Sequence, residues 1–192
     1  IEVNDAGDID RETTASYTLG IVATDGDNAD LESVTITITD VNDNTPEFDD
    51  DDSDGSTATA AASTAEGSTA VGTYDGTDAD AADTLTYTIR TSSENSNSVD
   101  HDLFSIVSGS GVLTFASAPN FEAPGCGAGN DANTCVVVLR VSDGTNSDDI
   151  TVTVTVTAVN DNTPEFDDDD SDGSTATAAA STAEGSTAVG TY

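Results

Sequence analysis

The residues best suited to chemistry in this 192-residue chain are oxygen donors gathered in short runs. Asp40-Val41-Asn42-Asp43-Asn44-Thr45-Pro46-Glu47-Phe48 sets acids, amides and a proline at the exit of an alternating strand, and most of it returns at Val159 to Phe166. Carboxylates, amide carbonyls and backbone carbonyls are ligands for a hard cation. Crowded, irregular sets of them suit calcium, which takes about six to eight oxygens, better than magnesium, which demands a small octahedron and keeps its water. A second run, Asp50-Asp51-Asp52-Ser53-Asp54-Gly55, reads as Asp-x-Asp-x-Asp-Gly, the opening of a calcium loop with glycine at its sharp turn. Asp50, Asp52 and Asp54 are its candidate ligands, but Ala61 stands where the closing Glu of such a loop belongs. The competing reading is a solvated acid run, and the identical run from Asp167 to Gly173 behaves the same way.

Other chemistry is scarce. His101 stands alone between Asp100 and Asp102, which marks a surface histidine rather than a base. The serines lack a nucleophile elbow or a positioned histidine. Gly109-Ser110-Gly111 reads as a hairpin turn, because no helix follows to make a phosphate cradle. With no acid–base pair outside the cation motifs, the chain does not read as an enzyme. Cys126 and Cys135 close a Gly-rich loop, which points to a local disulfide and an oxidising compartment, with two free thiols as the alternative. Two cysteines and one histidine do not make a zinc site.

The elements that position these residues are strands. Ser33 to Thr39, Thr84 to Ile89 and Asp149 to Thr157 alternate apolar and polar residues with many β-branched side chains, the pattern of half-buried strands with threonine rows facing water. Cys135 to Leu139 reads as a strand apolar on both faces, and Ala58 to Ala62, followed by Glu66-Gly67, as a first strand. Turn residues separate the runs at sandwich-like spacing, and helical periodicity is absent. The fold class is all-β, a seven-strand Greek-key β-sandwich in tandem repeats. Phe104, Phe115, Phe121, Tyr17 and Tyr87 are expected in or beside the core.

Residues 41–74 and 159–192 are identical over 34 positions, a period of 159 − 41 = 118 residues. Such copies mean an array of domain-sized units. The phase divides the chain into 1–48, the C-terminal half of one repeat; 49–166, a complete repeat; and 167–192, the first strands of the next.

Thirty-eight acids against three arginines (Arg11, Arg90, Arg140) and no lysine give a formal charge of −35. Such a surface repels nucleic acid and anionic membrane and recruits cations. General acidity of the halophile kind is compatible with this reading: the surface can be environmental while the motif acids are ligands. Aromatics are only 5%, so the core should be thin and aliphatic, and stability marginal without bound cations. No segment reaches the ~18 apolar residues of a membrane span.

Asp40-Val41-Asn42-Asp43-Asn44-Thr45-Pro46-Glu47-Phe48 resembles the interdomain linker of the cadherin family, Asp-x-Asn-Asp-Asn-x-Pro-x-Phe. Ile9-Asp10-Arg11-Glu12 is similar to the family's Leu-Asp-Arg-Glu loop, Ala23-Thr24-Asp25 to its Ala-x-Asp strand and Asp78-Ala79-Asp80 to its Asp-x-Asp segment, all in family order. The resemblance implies calcium between consecutive sandwiches, up to three ions per full junction. It carries over Asp10 and Glu12 from the upper repeat, Asp40, Asn42, Asp43 and Asn44 from the linker, and Asp78, Asp80 and Asp143 from the lower repeat. Asp25 is the Ala-x-Asp residue of the first portion. Glu66 and Glu184 take the family's first-strand glutamate role in their own repeats. At the later junction Glu122, Asn160, Asp161 and Asn162 remain, but Ala158 replaces the first linker Asp and Asn120 stands where a loop Asp is expected, so the resemblance implies fewer ions or weaker affinity there.

Seven carboxylates (Asp10, Glu12, Asp40, Asp43, Asp78, Asp80, Asp143) thus converge on one junction. Each close like-charge pair costs ~1 kcal/mol in water and ~4 kcal/mol at an effective dielectric near 20. Many such pairs outweigh a domain stability of ~5–15 kcal/mol, so the junction should close only around divalent ions. The expected function is a calcium-stiffened extracellular stalk, fibre or adhesion module at a cell surface. Its partners would be neighbouring repeats or other copies of the chain in a homo-oligomer or filament, with neither nucleic acid nor direct membrane insertion. The rival is an adhesin domain that grips a glycan or protein through the Cys126–Cys135 loop.

Overall fold

The structure is a computed structural model that describes residues 9–49, 58–80, 83–127, 129, 132–164 and 184–185. It divides into two compact units, Ile1–Val159 and Asn160–Tyr192. The first unit contains eleven strands among its described residues: β1 (Ser16–Thr24), β2 (Ala29–Thr37), β3 (Glu47–Phe48), β4 (Ala58–Ala65), β5 (Ala70–Thr73), β6 (Gly76–Thr77), β7 (Thr86–Ile89), β8 (Phe104–Ile106), β9 (Val112–Phe115), β10 (Thr134–Ser142) and β11 (Ser147–Thr157).

Seven of these strands form the sandwich. One sheet runs β4-β11-β10-β7 and the other β5-β9-β8, while β3 and β6 make a short ribbon. Alternation in β11 sends Ile150, Val152, Val154 and Val156 into the core and the threonines between them outward. β10 is apolar on both faces, as its sequence requires. Cys135, Val137, Leu139 and Val141 join the core, and Val138 on the other face is sealed where its N–H donates to the Ser98 hydroxyl at 3.0 Å and its carbonyl accepts from Arg90 N at 2.8 Å. The β4 strand of alanine, serine and threonine pairs in parallel with β11, from Ala58 opposite Ile150 to Ala65 opposite Thr157.

The linker is fixed to this core. Pro46 and Phe48 are buried, and the Phe48 ring packs on Tyr87 with centroids 6.2 Å apart. The Tyr87 hydroxyl accepts from Gly76 N at 3.0 Å; a Cβ at Gly76 would stand 2.9 Å from the Glu47 carbonyl, so the ribbon needs glycine there. Phe104 and Phe115 stack at 4.5 Å deeper in the core. A disulfide joins Cys126 and Cys135, both buried. The buried Asp100 carboxylate accepts from Gly127 N and Val136 N, both at 2.7 Å, and so ties down the residue after each cysteine.

The strands β1 and β2 form an antiparallel hairpin, from Ser16 opposite Thr37 to Thr24 opposite Ala29. Among the described residues they have no facing sheet. Tyr17, expected in or beside a core, is accordingly 36% exposed, and Leu31 is 69% exposed. The counterpart of Tyr17 one period on is Cys135, which is fully buried.

Core and hairpin positions should therefore respond differently. Leu139→Ala is expected to destabilise the calcium-loaded chain by ~2–5 kcal/mol in denaturant unfolding, as for other buried leucines, and Leu31→Ala by no more than ~0.5 kcal/mol. Equal losses would contradict this assignment of the core.

Candidate metal centre

The linker Asp40–Asn44 leaves β2 and runs to β3, and three loops meet it: the turn at Asp10–Glu12 before β1, the 78–83 loop after β6, and the β10–β11 turn at Asp143. Carboxylate oxygens of Glu12, Asp40 and Asp80 lie within 4.8 Å of one another. Asp80 is only 2% exposed and organises the linker. Its Oδ2 accepts the backbone N–H of Asp43 at 3.1 Å and of Asn44 at 2.8 Å, and its Oδ1 accepts the Asn44 side-chain amide at 2.9 Å. That amide, then the two backbone donors and the nearby Arg11 charge, overcome desolvation and hold the Asp80 carboxyl below its usual range.

One pattern recurs in the surrounding acids. Asp78 Oδ1 accepts Asp80 N at 2.9 Å, and Asp143 Oδ1 accepts Thr145 N and Asn146 N at 2.6 and 2.7 Å. In each case one oxygen shapes the loop. The other, Asp78 Oδ2 or Asp143 Oδ2, is buried without a hydrogen-bond partner, as are Asn42 Oδ1 and Asp83 Oδ2. Buried acceptors are normally paired. Four bare oxygens on residues gathered at one linker, one of them an amide carbonyl that no proton can satisfy, form a donor set that fits a hard, oxygen-seeking cation.

Electrostatics agree with the geometry. The one guanidinium beside the linker among the described residues is Arg11, whose Nη1 lies 3.1 Å from Asp40 Oδ1 and 3.7 Å from Glu12 Oε1. It does not neutralise the group. The backbone N–H of Glu12 is the largest single influence on that carboxyl and lowers it, but desolvation together with Asp40 and Asp80 raises it above its ordinary value. Asp83 is raised by desolvation and then by Asp80, Asp143, Asp78 and Asp40.

Other expected ligands sit differently. Asp10 is exposed, and its two oxygens accept the Thr13 hydroxyl (2.8 Å) and Thr13 N–H (3.1 Å), which lower its carboxyl. Asp43 is exposed and accepts from Asn44 Nδ2 at 3.2 Å. Asn44 acts through its N–H groups, and its carbonyl accepts Asn146 Nδ2 at 2.7 Å. Asp25 repeats the Asp143 turn, accepting Asp27 N and Asn28 N at 3.0 and 2.8 Å, but at the opposite end of β1 from the Asp10 loop. At ~3.4 Å per residue, that nine-residue strand puts Asp25 roughly 30 Å from the cluster.

Glu66 is buried, its Oε1 accepting Val159 N at 2.6 Å and its Oε2 Phe121 N at 2.9 Å. Glu122 is exposed, and Asn120 Oδ1 accepts Ala123 N at 2.9 Å. In the second unit Asn160, Asp161 and Asn162 are exposed, with Asn162 Nδ2 donating to Asp161 Oδ1 at 3.1 Å, and Glu184 lies exposed in a turn with Gly185 at φ 84°. Asp50, Asp52 and Asp54 lie outside the described residues. Sequence reasoning missed Asp83 and Asn146. Asp83 carries a signal, an acid three residues after Asp80, but the Asp-x-Asp pattern looks complete without it.

No protein-family model and no curated protein matches the chain. Solved structures do. The chain is similar to protocadherin gamma B2 extracellular cadherin domains 3–6 (24% identity, TM-score 0.63, 82% of this chain and 36% of that one). It is similar to a protocadherin gammaB7 EC3-6 cis-dimer structure (24%, 0.59, 78% and 34%) and to the human desmocollin-1 ectodomain (23%, 0.56, 78% and 27%). The chain thus spans about a third of the length of these solved chains. The fold is that of cadherin ectodomain repeats.

A pH test follows from Glu66. The Val159 N–H, then the Phe121 N–H, hold its carboxyl below the ordinary 4.5. The stabilisation from the charged form is complete above that value and is lost as pH falls through the lower folded-state value. In chelator, Glu66→Gln should lower the melting temperature at neutral pH, and the gap from the parent chain should close on acidification below 4.5. A gap that persists unchanged in acid would show that the carboxylate is not the stabilising species.

Proposed function

We propose that the chain is a link in a calcium-stiffened extracellular stalk, fibre or adhesion module. Residues 1–48, 49–166 and 167–192 would be the end of one repeat, a whole repeat and the start of the next. The observation that carries this reading is the set of buried, unpaired oxygens on Asn42, Asp78, Asp83 and Asp143 beside the Glu12–Asp40–Asp80 group. Calcium bound there would replace mutual repulsion by shared coordination, and the hairpin and sandwich that meet at the linker would hold one angle instead of many. The ion supplies charge and coordination only. The chain supplies the rest: Phe48 and Pro46 anchor the linker, and Asp80 fixes its backbone.

The fold likeness to cadherin ectodomains supports a mechanical or adhesive task at the cell exterior, and the disulfide suits an oxidising compartment. Among the described residues no helix is long and apolar enough to cross a membrane. Partners would be adjacent repeats or further copies of the chain; one solved neighbour is described as a cis-dimer, which supports self-association as part of this reading. No catalysis is proposed.

Small-angle scattering of the full chain tests the mechanical claim. With millimolar calcium the distance distribution should narrow to that of one extended particle, and chelator should broaden it. Identical distributions in both conditions would defeat the proposal.

A further inference from the structure

We propose that the free edge of β4 is a self-association site, at which a second copy of the chain adds its own β4 antiparallel across a two-fold axis. The inference deepens the self-association within the reading above by naming the surface, and it needs no calcium. In the sheet order β4-β11-β10-β7, β4 pairs with β11 alone, so the main-chain groups that point away from β11 have no strand partner among the described residues. Unpaired rows of this kind are templates for another strand, and folded proteins blunt them with short strands, bulges, prolines or charges. The other edges of this sandwich follow that rule. β7 and β5 are four residues long and β8 three, and the pairing of β5 with β9 slips between Ala70 and Gly72. β4 does not follow it. It runs for eight residues, Ala-Thr-Ala-Ala-Ala-Ser-Thr-Ala, with no charge, proline or glycine, and its register with β11 is unbroken.

The occupant follows from charge and symmetry. The chain carries 38 acids against three arginines, so two copies repel over most of their surfaces. An uncharged strand offers nothing to a charged peptide, but it lets a second uncharged strand approach. Alternation turns Ala60 and Ala62 toward the core and leaves Thr59, Ala61 and Ser63 exposed. With Ala61 on the two-fold axis, Thr59 stands opposite the partner's Ser63 on the exposed face. Such hydroxyl pairs hydrogen-bond across strands, and the small Ala61 side chains meet without a clash. The two four-stranded sheets then join into one by strand addition. The contact is isologous and closes at two copies. One strand pair is smaller than the ~800 Å² per partner of a standard interface, so the dimer is weak.

Sedimentation of the full chain over a concentration series, in calcium and in chelator, tests this. The parent chain should show a monomer–dimer equilibrium whose dimer fraction grows with salt, which screens the repulsion between acidic copies. Ala61→Glu sets like charges opposite one another and should weaken dimerisation by at least about tenfold, with little change in melting temperature. Ala61→Cys adds the one free thiol, since Cys126 and Cys135 are joined. Mild oxidation should link two copies through it, because opposite Cβ atoms of a strand pair lie about 4.5–5.5 Å apart. Ser105→Cys, exposed on β8 of the other sheet, should not link. A parent chain that stays monomeric at millimolar concentration in low and high salt, or equal linking at positions 61 and 105, would overturn the proposal. So would association lost in Ala179→Glu and kept in Ala61→Glu, because Ala179 holds the same position in the recurring sequence 176–183. A dimer that links at position 61 in a chain that calcium does not stiffen would uphold the proposal and defeat the calcium reading alone. Calcium stiffening of a chain that remains monomeric would defeat the proposal alone.

Discussion

Like charges at close range govern the linker of this molecule. Glu12, Asp40 and Asp80 bring their carboxylates within 4.8 Å of one another, and one guanidinium, from Arg11, stands beside them. The chain manages this with backbone donors. Asp78, Asp80 and Asp143 each accept main-chain N–H groups that shape a loop or fix the linker, and for Asp78 and Asp143 that commits one oxygen and leaves the other bare and buried. There is a division of labour within one carboxylate: half of the group builds the loop and half is left without a hydrogen bond.

That arrangement has force only because the frame behind it is stiff. The β10–β11 pair supplies most of the core and ends in the turn that presents Asp143. Phe48, packed on Tyr87, prevents the linker from lifting off the sandwich, and Asn146 donates to the Asn44 carbonyl, so the linker is clamped from both the 78–83 loop and the β10–β11 turn. Ligand positions held by strand ends and buried aromatics cost little to organise when an ion arrives. Binding would therefore act on the hairpin–sandwich angle rather than on the fold of the sandwich.

Much of this was legible in the residues. Period-two alternation in Ser33–Thr39 and Asp149–Thr157 marks strands because it sets one row of β-branched residues inward and the other outward, and the family resemblance is what brings Asp40, Asp78, Asp80 and Asp143 to one junction. What was not legible depends on contacts distant in sequence. Tyr17 reads as core from its place in the strand that follows the Asp10–Glu12 loop, yet burial requires a facing sheet. Glu66 reads as a ligand by position, and what the sequence does not show is that its oxygens also accept the N–H groups of Phe121 and Val159, which are far along the chain. Asp83 escapes notice because the Asp-x-Asp pattern looks complete without it, and no spacing rule encodes the hydrogen bond from its N–H to the Asp80 carbonyl.

The most direct measurement is anomalous X-ray diffraction from crystals grown in millimolar calcium. The account predicts anomalous density among Glu12, Asp40 and Asp80, with the side chains turned inward around it. Acidic side chains fanned into solvent, with no anomalous density at the linker, would contradict it.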